Sequence, residues 1–142
     1  MLVLSAGRRI ELVENFQQAL KKQFPGAQGI VILTDGRSIT QRLKIAALGL
    51  EKYPVYISEE WNSEKPCEKR FQAIMAEHPA QQYIYIGDNP QKDFLAPNMG
   101  WLTVGLRGDK QNIHSQKIDG LVEDYLPAVW IGGLVEIMEF VG

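Results

Sequence analysis

The feature that most constrains the fold is the short apolar run Tyr83-Ile-Tyr-Ile86, which ends at Gly87 and is followed by two carboxylates, Asp88 and Asp93. β-Branched and aromatic residues in a short unbroken run read as a buried strand. Gly87 frees the backbone beyond it. Taken alone, the segment is equally a strand followed by a solvated turn, since Gly-Asp-Asn-Pro is good turn chemistry. Two acids past a strand end, with a lysine elsewhere to balance them, are also what an oxygen-ligated Mg²⁺ beside a phosphate requires.

The rest of the chain repeats this layout. Strands are expected at Leu2–Ser5, Gly29–Leu33, Val55–Ser58, Tyr83–Ile86 and Trp101–Leu106. A helix over 8–22 carries Ile10, Val13, Phe16 and Leu20 on one face, and Pro25-Gly26 end it. A second helix starts at Ser38 with Gln41 three residues on, a capping-box pattern, and Gly49 marks its end. A third starts with Pro66 in its first turn, turns Phe71, Ile74 and Met75 inward, and stops before Pro79. A last helix, from about Ala128 to Phe140, buries Trp130, Leu134, Ile137 and Met138. Strands alternating with helices imply an α/β fold with a doubly wound, five-stranded parallel sheet between two helical layers. Right-handed crossovers bring the strand carboxyl ends to one edge, where ligands bind in this architecture. Thr34, Ser58 and Asp88 all fall at such ends, and that coincidence supports a site that no single motif could.

Composition excludes several classes. The 142 residues fit one domain over 1–142, large enough for a real core. A net charge of -2 without a basic stripe gives no electrostatic case for nucleic acid. No apolar run approaches the roughly 18 residues that span a bilayer, and the opening turns polar too soon for a signal peptide. The lone cysteine, Cys67, excludes an intramolecular disulfide and suits a reducing cytoplasm. Placed on a first helical turn, its thiol is mildly acidified at most, and it reads as inert. With His78 and His114 the only histidines, a histidine-built zinc site is not expected.

The Gly87-Asp88…Asp93 segment resembles the fourth motif of the haloacid dehalogenase (HAD) superfamily, Gly-Asp-x-x-x-x-Asp. Ile30-Val-Ile-Leu-Thr-Asp-Gly36 resembles the second motif, and Ser58-Glu-Glu-Trp-Asn-Ser-Glu-Lys-Pro66 the third. Ala96-Pro-Asn-Met-Gly-Trp-Leu-Thr-Val104 and Asn112-Ile-His114 agree with the family as well, so the likeness covers roughly residues 30–140. It implies a Rossmannoid HAD-like core. Thr34, Asp35 and Gly36 would hold phosphate oxygens, Lys65 would neutralise phosphoryl charge, and Asp88 and Asp93 would serve Mg²⁺. The catalytic set would be Thr34, Lys65 and Asp88. The connections after the first and third strands hold one helix each, so neither cap domain of the family is expected and the site edge is open.

One family element is missing. These phosphatases carry an aspartate nucleophile at the end of the first strand, in an Asp-x-Asp pattern. Here Ser5-Ala6-Gly7 stands in that place, and no aspartate precedes Asp35. A Ser5 nucleophile would need a base, and no histidine lies near it in sequence. Losing an acid also weakens Mg²⁺, whose affinity follows ligand charge. Residues 1–28 are thus atypical against 29–142. Leu2-Val-Leu-Ser-Ala-Gly-Arg-Arg-Ile-Glu-Leu-Val-Glu14 resembles instead the first strand and helix of the domain preceding ATP-grasp in carbamoyl-phosphate-synthase-like enzymes. The resulting expectation is a phosphatase-family domain, weakly active or inactive alone, that takes a phosphorylated small molecule or a protein partner. The alternatives are an active Mg²⁺-dependent phosphohydrolase and an interaction module associated with an ATP-grasp enzyme. Self-association, and a core or interface role for Trp61 and Trp101, stay open.

Overall fold

A computed structural model describes residues 2–5, 30–47, 49–87, 89, 92–106 and 125–132. Among these residues six strands form one sheet: β1 (Leu2–Ser5), β2 (Ile30–Thr34), β3 (Val55–Ile57), β4 (Ile84–Gly87), β5 (Leu102–Leu106) and β6 (Val129–Ile131). Their order is β3-β2-β1-β4-β5-β6, and every adjacent pair is parallel. Helix α1 (Ser38–Ala47) follows β2, a single turn α2 (Ser58–Trp61) follows β3 directly, and α3 (Lys69–Glu77) precedes β4.

Side chains alternate across a strand, so each strand feeds two cores. Ile32, Ile84, Ile86, Val104, Leu106 and Ile131 pack on one face with Ile45 of α1 and Leu50. Val3, Val31, Leu33, Tyr56 and Tyr85 pack on the other with Phe71 and Ile74 of α3. The helices therefore lie on opposite faces, and the fold has three layers. Phe71 sits edge-on to Tyr85 and Trp101 with ring centroids 5.3 and 5.4 Å apart, the geometry that opposed ring quadrupoles favour. Trp101 is a core residue, and Trp61 packs against Tyr56.

Several expectations are corrected. Among the described residues the sheet has six strands, because Val129–Ile131 pairs with β5 instead of opening a helix at Ala128. The Ala128 amide donates to the Thr103 carbonyl at 3.0 Å and to its hydroxyl at 2.9 Å, and this starts the ladder. Asn98 helps by donating to the Leu126 carbonyl at 3.2 Å. Val-Trp-Ile is good strand sequence that the helical spacing of the apolar residues after it obscured. Leu134, Ile137 and Met138, the helix over 8–22, and Asn112-Ile-His114 lie outside the described residues.

The capping box at Ser38 does not form. The Ser38 amide donates to Glu59 at 3.1 Å and its hydroxyl to Glu60, while Gln41 turns inward and is 8% exposed. At its other end α1 stops as expected. Gly49 adopts φ +69°, and the Gly49 and Leu50 amides reach back to the Ala46 and Ile45 carbonyls, each at 3.0 Å, a Schellman closure. Pro66 lies in a turn, after a cis peptide bond, and α3 starts only at Lys69. Met75 is 40% exposed instead of inward, with its sulfur accepting from the Trp101 indole at 3.3 Å.

Gly105 sets the docking of β6. A Cβ there would lie 2.6 Å from the Trp130 ring and 2.7 Å from Pro127. Gly105→Ala is expected to push this strand off and cost about 1–3 kcal/mol, as overpacking does, read as a lower urea midpoint with an unchanged slope.

Candidate active site at the carboxyl edge of the sheet

β1 connects onward to its neighbour β2, whereas β4 on its other side connects onward to β5. The two connections leave in opposite directions, and a crevice opens at such a switch point. Ser5 ends β1, in register with Leu33, and Leu4 pairs with Ile86. The site residues gather around this point.

Asp93 anchors the β4 side. It is 1% exposed. Its Oδ1 accepts from the Lys65 ammonium at 2.7 Å and the Tyr85 hydroxyl at 2.9 Å, and its Oδ2 accepts from the Asn89 amide at 2.8 Å. Burial alone would raise the acid's pKa, but the Lys65 charge and these hydrogen bonds outweigh it and hold the carboxyl below its ordinary range. Gly87 makes the approach feasible, since a Cβ there would stand 2.6 Å from the Asp93 carboxyl carbon. The glycine of the Gly-Asp-x-x-x-x-Asp pattern is thus a clearance for its last aspartate.

The β2 side is built on Thr34, 2% exposed. Its hydroxyl donates to Gln41 Oε1 at 2.9 Å. Gly36, at φ +139°, has no room for a side chain beside the Gln41 amide, 2.6 Å from where a Cβ would be, and its own amide donates to Ser58 Oγ at 2.8 Å. Ser58, the first residue of α2, is thereby tied to the turn after β2. Glu60 reinforces this tie from the surface by taking both ends of the Arg42 guanidinium, at 2.6 and 2.7 Å.

Lys65 spans the two sides. Its ammonium meets Asp93, and its backbone amide donates to the Asp35 carboxylate, at 3.1 Å to Oδ2. Asp35 also receives the Arg70 guanidinium, which is fully buried and donates further to the Thr34 carbonyl at 2.9 Å and the Tyr56 carbonyl at 3.2 Å. One arginine thus closes the ends of β2 and β3 and fixes the acid that holds the Lys65 backbone.

Sequence reasoning missed Arg70, Gln41 and Tyr85 as site-building residues. The signal for Arg70 was its place four residues before Ile74, on the inward face of an amphipathic helix. Asp88 lies outside the described residues. The structure brings Thr34, Asp35, Gly36, Lys65 and Asp93 to one edge, but it gives the Thr34 hydroxyl and Gly36 amide partners within the protein. Asp93, buried with three donors, fits an anchor for Lys65 better than a direct Mg²⁺ ligand. Among the described residues, no group of three His, Cys, Asp or Glu side chains could hold a metal ion.

The Lys65–Asp93 pair should dominate the acid stability of this edge. Because the Asp93 pKa is lowered on folding, its contribution is fully present above the unfolded carboxylate value of about 3.9 and is lost as pH falls through the lower folded value. Lys65→Met leaves a buried carboxylate without its cation and is expected to cost about 3–5 kcal/mol at pH 7. That deficit should shrink on acidification toward pH 5, as the stranded acid takes up a proton. Urea unfolding of both proteins across this range measures it.

No protein-family model matches the chain, and no curated protein matches its sequence. Among solved structures it is similar to YfnB from Bacillus subtilis, described as a HAD-hydrolase and crystallised bound to magnesium. The TM-score is 0.67 at 21% identity, over 93% of this chain and 54% of that one. It is also similar to a haloacid dehalogenase-like family hydrolase from Xanthomonas campestris, with TM-score 0.59 at 15% identity, over 89% of this chain and 51% of that one. The chain spans about half the length of these structures. Its parallel sheet, its switch-point edge and these likenesses agree on one architecture: the chain has the fold of the haloacid dehalogenase-like hydrolases.

Proposed function

We propose that this chain is a phosphatase-type HAD-fold domain that keeps the charge-bearing half of a phosphate and Mg²⁺ site but lacks its nucleophile, and hydrolyses phosphoesters weakly or not at all on its own. The observation that carries this reading is the end of β1. This strand lies between the one bearing Thr34 and the one leading to Asp93, and it ends in Ser5 instead of a carboxylate. Loss of a nucleophile that works as part of a unit can cost about a millionfold in rate.

The remaining residues still suit phosphate. Lys65 offers a positive charge held in place from both sides, and Thr34, Asp35 and Gly36 form the turn beside it. A phosphate bound there requires the Thr34 hydroxyl and the Gly36 amide to leave Gln41 and Ser58, which lowers affinity. Mg²⁺, when bound, supplies positive charge to phosphoryl oxygens; Asp88 would hold it, with Asp93 keeping Lys65 in place. Residues 58–83 contain only α2 and α3, so no cap enters at that junction. The ligand class is a phosphorylated small molecule or a phosphorylated partner with access to an open edge. A second reading, a binding module associated with an ATP-grasp enzyme, is favoured by β1 itself: the segment that resembles those enzymes fills the central slot of the sheet.

The test is phosphate release from an aryl phosphate with Mg²⁺, comparing the wild type with Asp88→Asn. We expect both at background. Metal-dependent turnover that Asp88→Asn abolishes would overturn the proposal and make the chain an active phosphohydrolase.

A further inference from the structure

Away from the phosphate edge, Tyr83 and Trp101 stand just before β4 and β5, at the amino edge of the sheet. Trp101 is held there by other rings. Tyr83 stacks on it at 4.9 Å and 16°, Phe71 meets it edge-on at 5.4 Å, and Tyr85 lies 6.5 Å away. The residue is 9% exposed, so packing sets the direction of its indole N–H. A buried indole N–H usually finds a good acceptor. Among the described residues, the acceptor this one has is the Met75 sulfur, at 3.3 Å. A thioether is a weak acceptor.

Met75 is placed the other way round. It lies near the end of α3 and is 40% exposed, so small solutes reach its side chain. Its backbone is nevertheless fixed. The His78 amide donates to the Ile74 carbonyl at 2.8 Å and closes the helix. The Tyr83 hydroxyl donates to the His78 carbonyl at 2.7 Å, with the Met75 carbonyl 3.4 Å away. A flexible, unbranched thioether on a fixed backbone therefore reaches from solvent to a buried donor whose acceptor is poor.

We propose that Met75 is a site of reversible oxidation by hydroperoxides, and that Trp101 takes the oxygen it gains as a hydrogen-bond acceptor. A lone pair of Met75 Sδ attacks the terminal oxygen of R–O–O–H. The S–O bond forms, the O–O bond breaks, and its electron pair leaves on R–O⁻. The proton of the transferred hydroxyl passes through water to R–O⁻, so the products are the sulfoxide and an alcohol. A sulfoxide reductase reverses the change: two of its thiols become a disulfide and the oxygen leaves as water. A sulfoxide usually disrupts its surroundings, because an apolar side chain has become polar. Here the side chain is already half in water, and its free rotations carry the new oxygen to the indole N–H. Oxidation exchanges a weak N–H···S bond for a stronger N–H···O bond.

The wild type and Met75→Leu are treated in parallel with hydrogen peroxide at pH 7. Met75→Leu conserves volume at a half-exposed position and should leave folding intact. Peptide mass mapping follows oxygen uptake at Met75, with N-acetylmethioninamide as the reference thioether. Indole N–H resonances are recorded by NMR before and after treatment, and urea midpoints are compared. We expect Met75 to gain oxygen at a rate within about tenfold of the reference, as its exposure allows. Methionine sulfoxide reductases of the two epimer classes together should remove it. One indole resonance should move downfield in the treated wild type and stay in place in treated Met75→Leu. The wild type should lose no more urea stability on treatment than Met75→Leu does. Four results would each overturn the proposal: a Met75 that stays unoxidised while the reference converts, a sulfoxide the reductases cannot remove, indole resonances indifferent to the oxidation, or a larger stability loss in the wild type than in Met75→Leu.

Discussion

The buried carboxylate of Asp93 is the interaction on which the functional edge rests. An isolated carboxylate in a protein interior costs several kcal/mol even after relaxation, so its surroundings must supply a cation and donors. They do so from three separate parts of the chain: Lys65 from the turn before α3, Tyr85 from β4 and the Asn89 amide from the loop itself. Satisfying one acid therefore fixes the distance between that turn and the end of β4. Gly87 follows from the same demand, because the acid packs where a Cβ would be. The electrostatic requirement and the steric one select the same conformation.

Arg70 does for β2 and β3 what Asp93 does for β4. Its guanidinium has no exposure, where a cation is tolerated only if it is paired and hydrogen-bonded. Two carbonyls at strand ends and the Asp35 carboxylate take its two terminal nitrogens, leaving Nε without a partner, and such fixed, forked geometry suits arginine better than lysine. Asp35 in turn holds the Lys65 amide. Lys65 is therefore positioned twice, by its backbone from the β2 side and by its ammonium from the β4 side. Its position does not rest on the flexibility of its own side chain.

Much of this fold was legible in the sequence. Short unbroken apolar runs gave β2, β4 and β5 to within a residue, because a strand covered on both faces has no polar positions to blur it. Gly49 announced the end of α1 for a local reason, its left-handed conformation. The failures share a different cause. Ser38 and Gln41 had the right spacing for a cap, but Glu59 and Glu60, close by only in three dimensions, took Ser38, and Thr34 took Gln41. Val129–Ile131 needed the Thr103 carbonyl and the open flank of Gly105 to become a strand. Arg70 was not singled out, because the strand-end carbonyls that take its guanidinium come near it only in three dimensions. Periodicity reports which face of an element is buried; it is silent about which polar group finds which.

This division also bears on why a HAD fold persists here without an aspartate at the end of β1. The contacts that shape the edge run from Asp93 to Lys65, from Lys65 to Asp35, and from Asp35 through Arg70 to β2 and β3. These links join the turn before α3 to β2, β3 and β4, while β1 contributes its backbone ladder to β2 and β4 and the buried Val3 to the core. A nucleophile is held by such a framework without holding it. On the proposed reading, an aspartate missing from the end of β1 removes chemistry while these contacts remain. The described contacts of the edge therefore account for its fold and its charge, and turnover is the question that the proposed reading puts to the end of β1.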